Sequence, residues 1–425
     1  MGMPVSTWVE VDLDRFSANL RAVRALVGLD APGGSAGTGP LADPARGLLL
    51  VVKADAYGHG AIEMAEAAEA EGVACLGVAT LHEGIQLRQT GCRLPIVALS
   101  PLLPSEIREA VAHGLDPTVC DLAFARELSA EAVRTGRAVR CHVEVDTGMG
   151  RTGVSEREAE GFLGTLDALP GLRLASLFTH FPDADAEDLS FAEDQVRRFR
   201  GLAARLAARG LEAPRLHAAN SAGTVNLPGA HFDWVRVGLL AYGHRPPHAR
   251  AKLDLAPVMS FKSRLVQVRD LPAGAPISYG RSYVTERPMR VGVVAVGYGH
   301  GYSWLLSNRG QMLVRGRRVP IVGRVTMDLT MVDLTLVPEV GVGDDVVLFG
   351  DQDGTSLSLE EVAEGSRTLS YEIMCTIGKR VTRIYVRGGQ PVKLTSLVGE
   401  RAEWVAQAAN HFRMRAEAVV AAKRG

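Results

Sequence analysis

A lysine follows an apolar run and precedes a sharp turn in the segment VVKADAYGHG, residues 51–60. The apolar residues predict a buried strand, and the glycines predict that the chain turns back soon after the lysine. A lysine at the mouth of such a strand is partly desolvated, which lowers the pKa of an amine and makes it a usable nucleophile or base. An amine of this kind suits Schiff-base formation with an aldehyde cofactor. Lys53 is therefore the first candidate catalytic residue.

Short apolar runs alternate with longer amphipathic segments around and after Lys53. The predicted strands are 47–54, 73–80, 94–100, 116–121, 138–146, 172–180, 215–221 and 234–242. Near-continuous apolar strands joined by helices indicate a parallel sheet covered by those helices. Eight such units favour a closed (β/α)8 TIM-type barrel. A doubly wound open sheet is the alternative, but it usually has fewer strands.

The second half of the chain has a different pattern. From about residue 253, strands outnumber helices and glycine and proline turns separate them, which predicts a mainly β domain. The segment WVEVDL, 8–13, predicts a strand before the barrel, and 31–47, rich in Gly, Pro, Ala and Ser, predicts a surface loop. The predicted domains are a barrel over 14–250, a mainly β domain over 251–393 and a C-terminal helical extension over 394–425.

The composition is that of a soluble globular protein. The chain has 425 residues, of which 47% are hydrophobic and 22% are charged. The balance of 47 basic and 48 acidic residues argues against a nucleic-acid partner. We see no apolar stretch of the ~18 residues that a membrane helix needs and no apolar signal-peptide segment. The five cysteines form no CxxC pair, so we expect reduced thiols and a cytoplasmic location.

In a (β/α)8 barrel, active residues lie at the C-terminal ends of the strands. This rule adds Arg151, His180, Asn220, Ser221, Arg236 and Gly238 to the candidates. The serine turn could present backbone N–H groups to a phosphate. No set of residues has metal-ligand spacing, so no metal site is predicted. Taken singly, Lys53 is typical of a surface lysine and His180 of a structural histidine; the joint pattern predicts a cationic, phosphate-binding barrel mouth.

Nine motifs, in order, give the chain a specific resemblance to the alanine racemases, the fold-type III pyridoxal-phosphate enzymes. They are VVKADAYGHG, VEVDTGMGRTG, FTHFPDAD, HAANSAGT, VRVGLLAYG, ISYGRSY, VAVGYGHGY, VGRVTMDLTMVD and SYEIMCTIGKRVTRIY. The likeness covers roughly residues 7–390. It implies a barrel followed by a β domain that also takes the first strand, 7–13. It further implies pyridoxal 5'-phosphate as cofactor and a homodimer with shared active sites.

The resemblance also implies a role for each matching residue. Lys53 would bind the cofactor covalently and act as one base, and Tyr279 of the partner subunit would act as the second. Arg236 would face the pyridine nitrogen, Arg151 the phenolic oxygen and His180 the ring face. The other cofactor-binding residues would be Tyr57, Asn220, Ser221, Gly238, Leu239 and Tyr371. An amino-acid substrate would contact Arg151, Tyr298, Met327 and Asp328.

These roles predict an isomerase that interconverts L-alanine and D-alanine and supplies D-alanine for peptidoglycan. Two bases on opposite faces of Cα can remove one proton and return another directly, which a single fixed base does poorly. Three alternatives stay open: a racemase of serine or another amino acid, a fold-type III decarboxylase, and a pyridoxal-phosphate-binding protein without turnover. The motifs ISYGRSY and VTMD favour a racemase over a decarboxylase.

Four positions depart from the family's motifs. Glu144 replaces a lysine that is often carbamylated, and its carboxylate predicts a direct ion pair with Arg151. Thr326 replaces a common cysteine, His300 a common aspartate and Leu329 a polar residue. Because these three lie near the substrate entrance in the family, they bear on the identity of the substrate more than on the type of reaction.

Overall fold

The computed structural model describes residues 3–29, 47–211 and 215–422, with side chains up to residue 417. Of the predicted 31–47 loop, only Gly47 lies within the described residues, where it begins a strand. The chain divides into two compact units. The first, called the barrel unit, is Arg15–Ala256, and the second, called the β unit, combines Met1–Asp14 with Pro257–Gly425.

The chain begins with strand β1 (Thr7–Asp12) and helix α1 (Leu13–Leu26), and the barrel follows. The strands of the barrel unit are β2 (Gly47–Val51), β3 (Cys75–Val78), β4 (Ile96–Pro101), β5 (Asp116–Val119), β6 (Val139–Asp146), β7 (Val154–Ser155), β8 (Leu172–Phe178), β9 (Leu216–His217) and β10 (Trp234–Val237). Its further helices are α2 (Lys53–Tyr57), α3 (Ala61–Ala70), α4 (Leu81–Gln89), α5 (Ile107–Ala112), α6 (Leu122–Thr135), α7 (Ala159–Asp167), α8 (Ser190–Ala208) and α9 (Ser221–Asn226), with 3-10 turns at Pro104–Glu106 and Pro228–Ala230.

Eight of these strands close into a parallel barrel. Their order is β2, β3, β4, β5, β6, β8, β9, β10 and back to β2, while β7 pairs with the outer end of β6. Every residue of β2 is buried, on the inward and on the outward face, because helices cover the outside of a barrel. The predicted TIM-type barrel is therefore confirmed.

The outer helices show why this sequence folds around the barrel. Helix α8 buries Val196, Phe199, Leu202 and Leu206, which recur every three or four residues along one face. Helix α6 begins where Asp121 Oδ1 accepts the N–H of Phe124 at 2.8 Å, and it ends at Gly136 in the left-handed conformation. These apolar faces and end signals cover the outside of the strands.

The β unit is mainly strands, as predicted. They are β11 (Met259–Leu271), β12 (Pro276–Ile277), β13 (Tyr283–Val284), β14 (Met289–Val294), β15 (Gln311–Val314), β16 (Arg317–Pro320), β17 (Thr330–Asp333), β18 (Asp345–Gln352), β19 (Thr355–Leu357), β20 (Thr382–Arg387) and β21 (Gln390–Thr395). Its helices are α10 (Leu359–Gly365), α11 (Ser370–Thr376) and α12 (Ala402–Ala422), with 3-10 turns at Tyr279–Arg281, Tyr298–His300 and Trp304–Leu306.

Strand β1 lies in the middle of the large sheet of the β unit. It pairs antiparallel with β11 and parallel with β20, within the order β16, β15, β18, β11, β1, β20, β21. Trp8 of β1 is fully buried, and Trp404, Val405 and Phe412 of α12 pack on its cluster. The C-terminal helix is therefore part of the core of the β unit.

Ion pairs hold helix α12 in addition to this apolar contact. His411 Nε2 lies 2.8 Å from Asp345 Oδ2, and Arg415 Nη1 lies 3.0 Å from Glu10 Oε1. Lys262 also pairs with Glu10. None of the helices within the described ranges combines the length and the apolar character needed to cross a membrane.

Candidate active site

Lys53 lies two residues beyond the end of β2, at the start of a left-handed turn. The four residues after it, Ala54 to Tyr57, have φ angles between 53° and 56°. Such a run costs L-residues roughly 1–2 kcal/mol each, so its surroundings must hold it in place. The predicted strand to residue 54 was too long, because the strand ends at Val51. Lys53 is exposed in the single chain, so the desolvation inferred from the sequence is not present there.

The carboxylate of Glu83 holds this turn. Its Oε1 accepts the N–H of Ala54 at 2.7 Å, and its Oε2 accepts those of Ala79 and Thr80 at 2.8 and 3.1 Å. Asp55 Oδ1 accepts the N–H of Ala61 at 2.9 Å and so connects the turn to helix α3. The position of Lys53 at the barrel mouth therefore depends on carboxylates that the sequence analysis did not single out.

Arg236 is buried within β10 and anchored by several hydrogen bonds. It donates to His217 Nδ1 at 2.9 Å, Thr179 O at 2.8 Å, Ala218 O at 2.9 Å and His180 Nδ1 at 3.1 Å. Burial lowers the pKa of Arg236 to about 10, partly opposed by Glu144, so the guanidinium stays protonated at neutral pH. All of these bonds use Nη1 and Nη2, which leaves Nε without a partner among the described residues.

His180 shows that the barrel brings the predicted cations together. Burial lowers the pKa of His180 well below its usual value, and the charges of Arg236, Arg151 and Lys53 lower it further. Its Nδ1 accepts from Arg236, so the neutral ring carries its proton on Nε2. The mouth of the barrel is therefore strongly positive, as the sequence predicted.

A second group of candidates surrounds Ser221, at the start of helix α9. Ser221 Oγ accepts the N–H of Gly238 at 3.2 Å and that of Leu240 at 3.4 Å. Asn220 caps α9, since its Oδ1 accepts the N–H of Gly223 at 2.8 Å. The hydroxyl of Tyr57 lies against Gly238. Asn220 and Ser221 thus begin a helix instead of ending a strand, and their role in binding a phosphate stays a prediction.

The predicted ion pair between Glu144 and Arg151 is wrong. The buried carboxylate of Glu144 accepts a hydrogen bond from Thr152 Oγ1 at 2.6 Å, and no salt bridge joins it to Arg151 within the described part of the chain. Arg151 is exposed on the loop after β6. Glu144 faces the barrel interior, where its charge raises the pKa of Arg236.

The β unit brings together Tyr298, Met327 and Asp328. The N–H of Tyr298 donates to Thr326 O at 3.0 Å, and the next N–H donates to Met327 O at 2.9 Å. Asp328 Oδ1 lies 2.7 Å from Arg380 Nη2. Met327 and Asp328 are exposed. The carbonyl oxygens of Thr326 and Met327 thus accept internal hydrogen bonds, and the exposed carboxylate of Asp328 is paired with Arg380.

Two departures from the family shape this turn. Thr326 Oγ1 donates to Leu329 O at 2.8 Å and accepts the N–H of Leu329 at 3.1 Å, so the hydroxyl closes the turn that carries Met327. The buried His300 accepts the N–H of Gly297 at 3.3 Å. Burial lowers the pKa of His300 and Arg380 lowers it further, whereas Asp328 opposes this effect.

Tyr279 lies on a 3-10 turn of the β unit and is 71% exposed. Ser278 Oγ donates to Arg324 O at 2.8 Å, and Gly280 lies beside the guanidinium of Arg324. Tyr371 is half-buried at the start of α11. The structure thus anchors the backbone around Tyr279 and leaves its phenol ring accessible.

Comparison with known proteins decides the family. The alanine racemase N-terminal domain matches residues 40–246, and the alanine racemase C-terminal domain matches residues 258–385. The chain belongs to the alanine racemase family. Members of this family are pyridoxal-phosphate-dependent isomerases, so the family, enzyme class and cofactor predicted from the motifs are confirmed.

Similar proteins cover nearly the whole chain. The alanine racemase of Desulfosudis oleivorans is 42% identical over 395 residues, 90% of this chain and 97% of that one. Alanine racemase 2 of Caldanaerobacter subterraneus subsp. tengcongensis is 39% identical over 386 residues, 90% and 96% of the two chains. The crystal structure of alanine racemase from Bacillus anthracis with bound L-Ala-P superposes with a TM-score of 0.83 at 34% identity, covering 93% and 98%.

The residues of the barrel mouth fit pyridoxal phosphate. Arg236 keeps an unpartnered Nε–H that can meet a ring nitrogen, and Lys53 supplies an amine for an aldehyde. Gly238 leaves no room for a side chain beside Tyr57, which suits a close approach of backbone to phosphate. Within the described ranges, no group of His, Cys, Asp and Glu residues could hold a metal ion.

Sequence reasoning missed the polar residues behind Arg236. His217, Ser176 and His142 are fully buried in the barrel strands, where apolar side chains are usual. The signal was present, since each is a polar residue within a predicted apolar strand. Their mutual contacts follow from strand register, which a single sequence does not give.

Proposed function

We propose that this protein interconverts L-alanine and D-alanine with pyridoxal phosphate bound at the barrel mouth. One observation carries the proposal: the charges of Lys53, Arg151 and Arg236 all act on the half-buried ring of His180. An amine that can bind an aldehyde therefore lies among cations that can hold an anionic cofactor. The relatives named alanine racemase support alanine as the substrate.

Lys53 and Arg236 have different tasks in this proposal. Pyridoxal phosphate, when bound, delocalises the negative charge left on Cα after its proton is removed. Lys53 would hold the aldehyde in the absence of substrate and, once the substrate amine has displaced it, would move a proton at one face of Cα. Arg236 stays protonated, with a pKa of about 10, and so disfavours protonation of the ring nitrogen. The electron sink is then weaker, which limits side reactions such as transamination.

The rest of the cofactor is held by the residues that lie around Ser221. Tyr57, Ser221 and the N–H groups near Gly238 and Leu239 bind the phosphate, with Asn220 fixing the start of the helix. Tyr371 of the β unit is assigned to the same phosphate. Arg151 would bind the phenolic oxygen, and His180 would cover the ring face as a neutral imidazole.

Tyr279 is the second base in this proposal. Its exposed phenol, on an anchored turn, suits a group that acts in another subunit. We therefore propose a homodimer in which Tyr279 of the partner subunit moves the proton at the opposite face of Cα. A monomer would have the first base and the cofactor, but not the second base.

The turn around Met327 is assigned to the substrate carboxylate, together with Arg151 and Tyr298. The negative charge of Asp328 is offset by Arg380 at 2.7 Å, so an anionic substrate is not repelled there. We assign the product D-alanine to peptidoglycan synthesis. The protein is placed in the cytoplasm, in keeping with five cysteines that form no CxxC pair.

The test is proton NMR of the holoenzyme with L-alanine in D2O, followed by chiral analysis. Loss of the Cα proton signal with D-alanine appearing is the expected result, and Lys53→Ala is the inactive control. Exchange with serine or another amino acid, but not alanine, would contradict the proposed substrate. Carbon dioxide release would favour the decarboxylase instead, and no exchange with any amino acid would favour a binding protein.

A further inference from the structure

A line of buried polar side chains continues from Arg236 into the barrel interior. Arg236 Nη1 lies 2.9 Å from His217 Nδ1, and His217 Nε2 lies 2.7 Å from Ser176 Oγ. Ser176 Oγ lies 2.6 Å from His142 Nδ1. His142 Nε2 then lies 3.7 Å from Asp116 Oδ2, an electrostatic contact longer than a hydrogen bond. Ser176 and both histidines have no exposed surface.

This line runs from one end of the barrel towards the other. Asp116 is the first residue of β5, whereas Arg236 is the third of the four residues of β10. The strands are parallel, so Asp116 lies at the end opposite the mouth. Arg140 Nε lies 3.2 Å from the same Asp116 oxygen and pairs with it. Buried polar groups are costly unless they are paired. Among the described residues, His142 Nε2 and Asp116 Oδ2 have no hydrogen-bond partner, so the electrostatic contact between them is the last link of the line.

The two ends of the line fix the direction of its hydrogen bonds. A guanidinium can only donate and a carboxylate can only accept. His217 must therefore accept at Nδ1, and the neutral ring carries its proton on Nε2 and donates to Ser176. The hydroxyl of Ser176 donates to His142 Nδ1, and His142 carries its proton on Nε2, towards Asp116. Burial first, and then Arg236 and His142, lower the pKa of His217, which keeps that ring neutral.

We propose that Asp116 is a positioning residue for Arg236, acting through His142, Ser176 and His217. The inference rests on the proposed function, in which Arg236 faces the cofactor ring. The Asp116 carboxylate favours the tautomer of His142 with its proton on Nε2. The unprotonated Nδ1 of His142 then accepts from Ser176, whose oxygen accepts from Nε2 of His217. His217 then presents an unprotonated Nδ1, which holds the guanidinium at 2.9 Å.

Loss of the carboxylate charge weakens this preference, although Arg236 still favours an unprotonated Nδ1 on His217. His142 can then carry its proton on Nδ1, and the hydroxyl of Ser176 turns to donate to His217. In the molecules where this happens, the proton of His217 lies on Nδ1, where it faces the N–H groups of Arg236. Two donors cannot hydrogen-bond each other, so the guanidinium loses this anchor and the cofactor loses a well-placed partner.

The test compares Asp116→Asn with Asp233→Asn in the holoenzyme. Asp233 directly precedes β10, and its Oδ2 accepts the N–H of Leu216 at 2.7 Å, a backbone bond beside His217 that involves no side chain of the line. Ser176→Ala interrupts the line in its middle while keeping both ends. The first measurement is the ring ¹⁵N NMR spectrum of His217, assigned with a His217→Asn sample. The second is the rate at which pyridoxal phosphate leaves the protein after dilution.

Asp116→Asn is expected to populate the Nδ1–H form of His217 and to speed cofactor release roughly threefold to tenfold, because Arg236 loses one of its four hydrogen bonds in part of the molecules and keeps the other three. Asp233→Asn is expected to change neither. In the Ser176→Ala background, Asp116→Asn should add nothing further to the release rate. A merely structural role of Asp116 would instead add its effect to that of Ser176→Ala.

An unchanged His217 spectrum in Asp116→Asn, or additive effects on release, would overturn the inference. If Asp116→Asn does not fold, Ser176→Ala alone tests the inference. An unchanged rate of cofactor release and an unchanged His217 spectrum in Ser176→Ala would also overturn the inference. The proposed function fails separately, when the wild type exchanges no Cα proton with alanine. The His217 spectrum does not depend on turnover, so it still decides the inference in that case.

Discussion

A Cβ atom on Gly238 would lie 2.5 Å from the hydroxyl oxygen of Tyr57 and 2.9 Å from its ring carbon Cζ. Both distances are too short for real contacts, so either the ring or the backbone would have to move. The ring of Tyr57 also packs against Tyr242, with centroids 5.0 Å apart. Position 238 therefore has room only for glycine while Tyr57 keeps its place.

Gly238→Ala is expected to weaken pyridoxal-phosphate binding about tenfold to a hundredfold, because overpacking of this kind costs roughly 1–3 kcal/mol. Fluorescence titration of the apoenzyme with the cofactor measures the change. Gly161→Ala is the matched control, since a Cβ at Gly161 in helix α7 has no neighbour within 4 Å. If the two variants bound the cofactor with equal affinity, the cofactor site would not require glycine at position 238 beside Tyr57.

Glu83→Ala is expected to free the left-handed turn after Lys53. The change removes three hydrogen bonds to backbone N–H groups, including the 2.7 Å bond to Ala54, and so destabilises the chain by about 2–4 kcal/mol. Racemisation should fall together with cofactor affinity. Thr80→Ala is the control, because it removes only the hydroxyl that caps α4 and costs about 1 kcal/mol. Normal cofactor binding by Glu83→Ala would contradict the role given to Glu83.

The apolar runs predicted the strands of the barrel well, but they placed the C-terminal ends of several strands too far along the chain. Lys53 and His180 were assigned to strand ends, yet they lie two residues beyond β2 and β8. The reason is physical: Val52, Ala218 and other residues past the strands are still fully buried. Hydrophobicity reports burial, whereas a strand ends where its ladder of hydrogen bonds ends.

The positive charge of the barrel mouth could be predicted, because active residues lie at the C-terminal ends of barrel strands and this rule applies without knowing which residues contact each other. The pairing of Glu144 could not, because its side chain points into the barrel while Arg151 lies on an exposed loop. The line behind Arg236 was also missed. His142 lies opposite Ser176 in neighbouring strands, and that register joins residues that are 34 positions apart in the chain.

The stability of the barrel unit should fall in mild acid. Burial lowers the pKa of both His180 and His217 well below their usual value, and Arg236 lowers each further. In the unfolded chain both titrate near pH 6.5. Below about pH 6.5 the unfolded state binds up to two more protons than the folded state, so the free energy of unfolding decreases as the pH falls. For each histidine the slope is about 0.7 kcal/mol per pH unit at pH 6.5 and approaches about 1.4 kcal/mol per pH unit well below it.

Urea unfolding at about pH 7.5, 6.5 and 5.5 measures this slope. His217→Asn should reduce this slope by the contribution of one histidine, even though the variant is less stable at every pH. His82→Asn, at an exposed position on α4, should keep the slope of the wild type. A slope in His217→Asn equal to that of the wild type would contradict a neutral His217 in the folded state.

Mixing two inactive variants tests whether the active site is shared between subunits. Lys53→Ala removes one proposed base and Tyr279→Phe the other, so each homodimer should racemise alanine at a small fraction of the wild-type rate. After unfolding and refolding together, half of the dimers are mixed, and each mixed dimer has one complete site. The mixture should therefore recover about one quarter of wild-type activity, measured as Cα proton exchange. Tyr283→Phe, on the neighbouring strand β13, is the control and should keep wild-type activity. No recovery, with mixed dimers confirmed by mass spectrometry, would show that both bases come from the same chain.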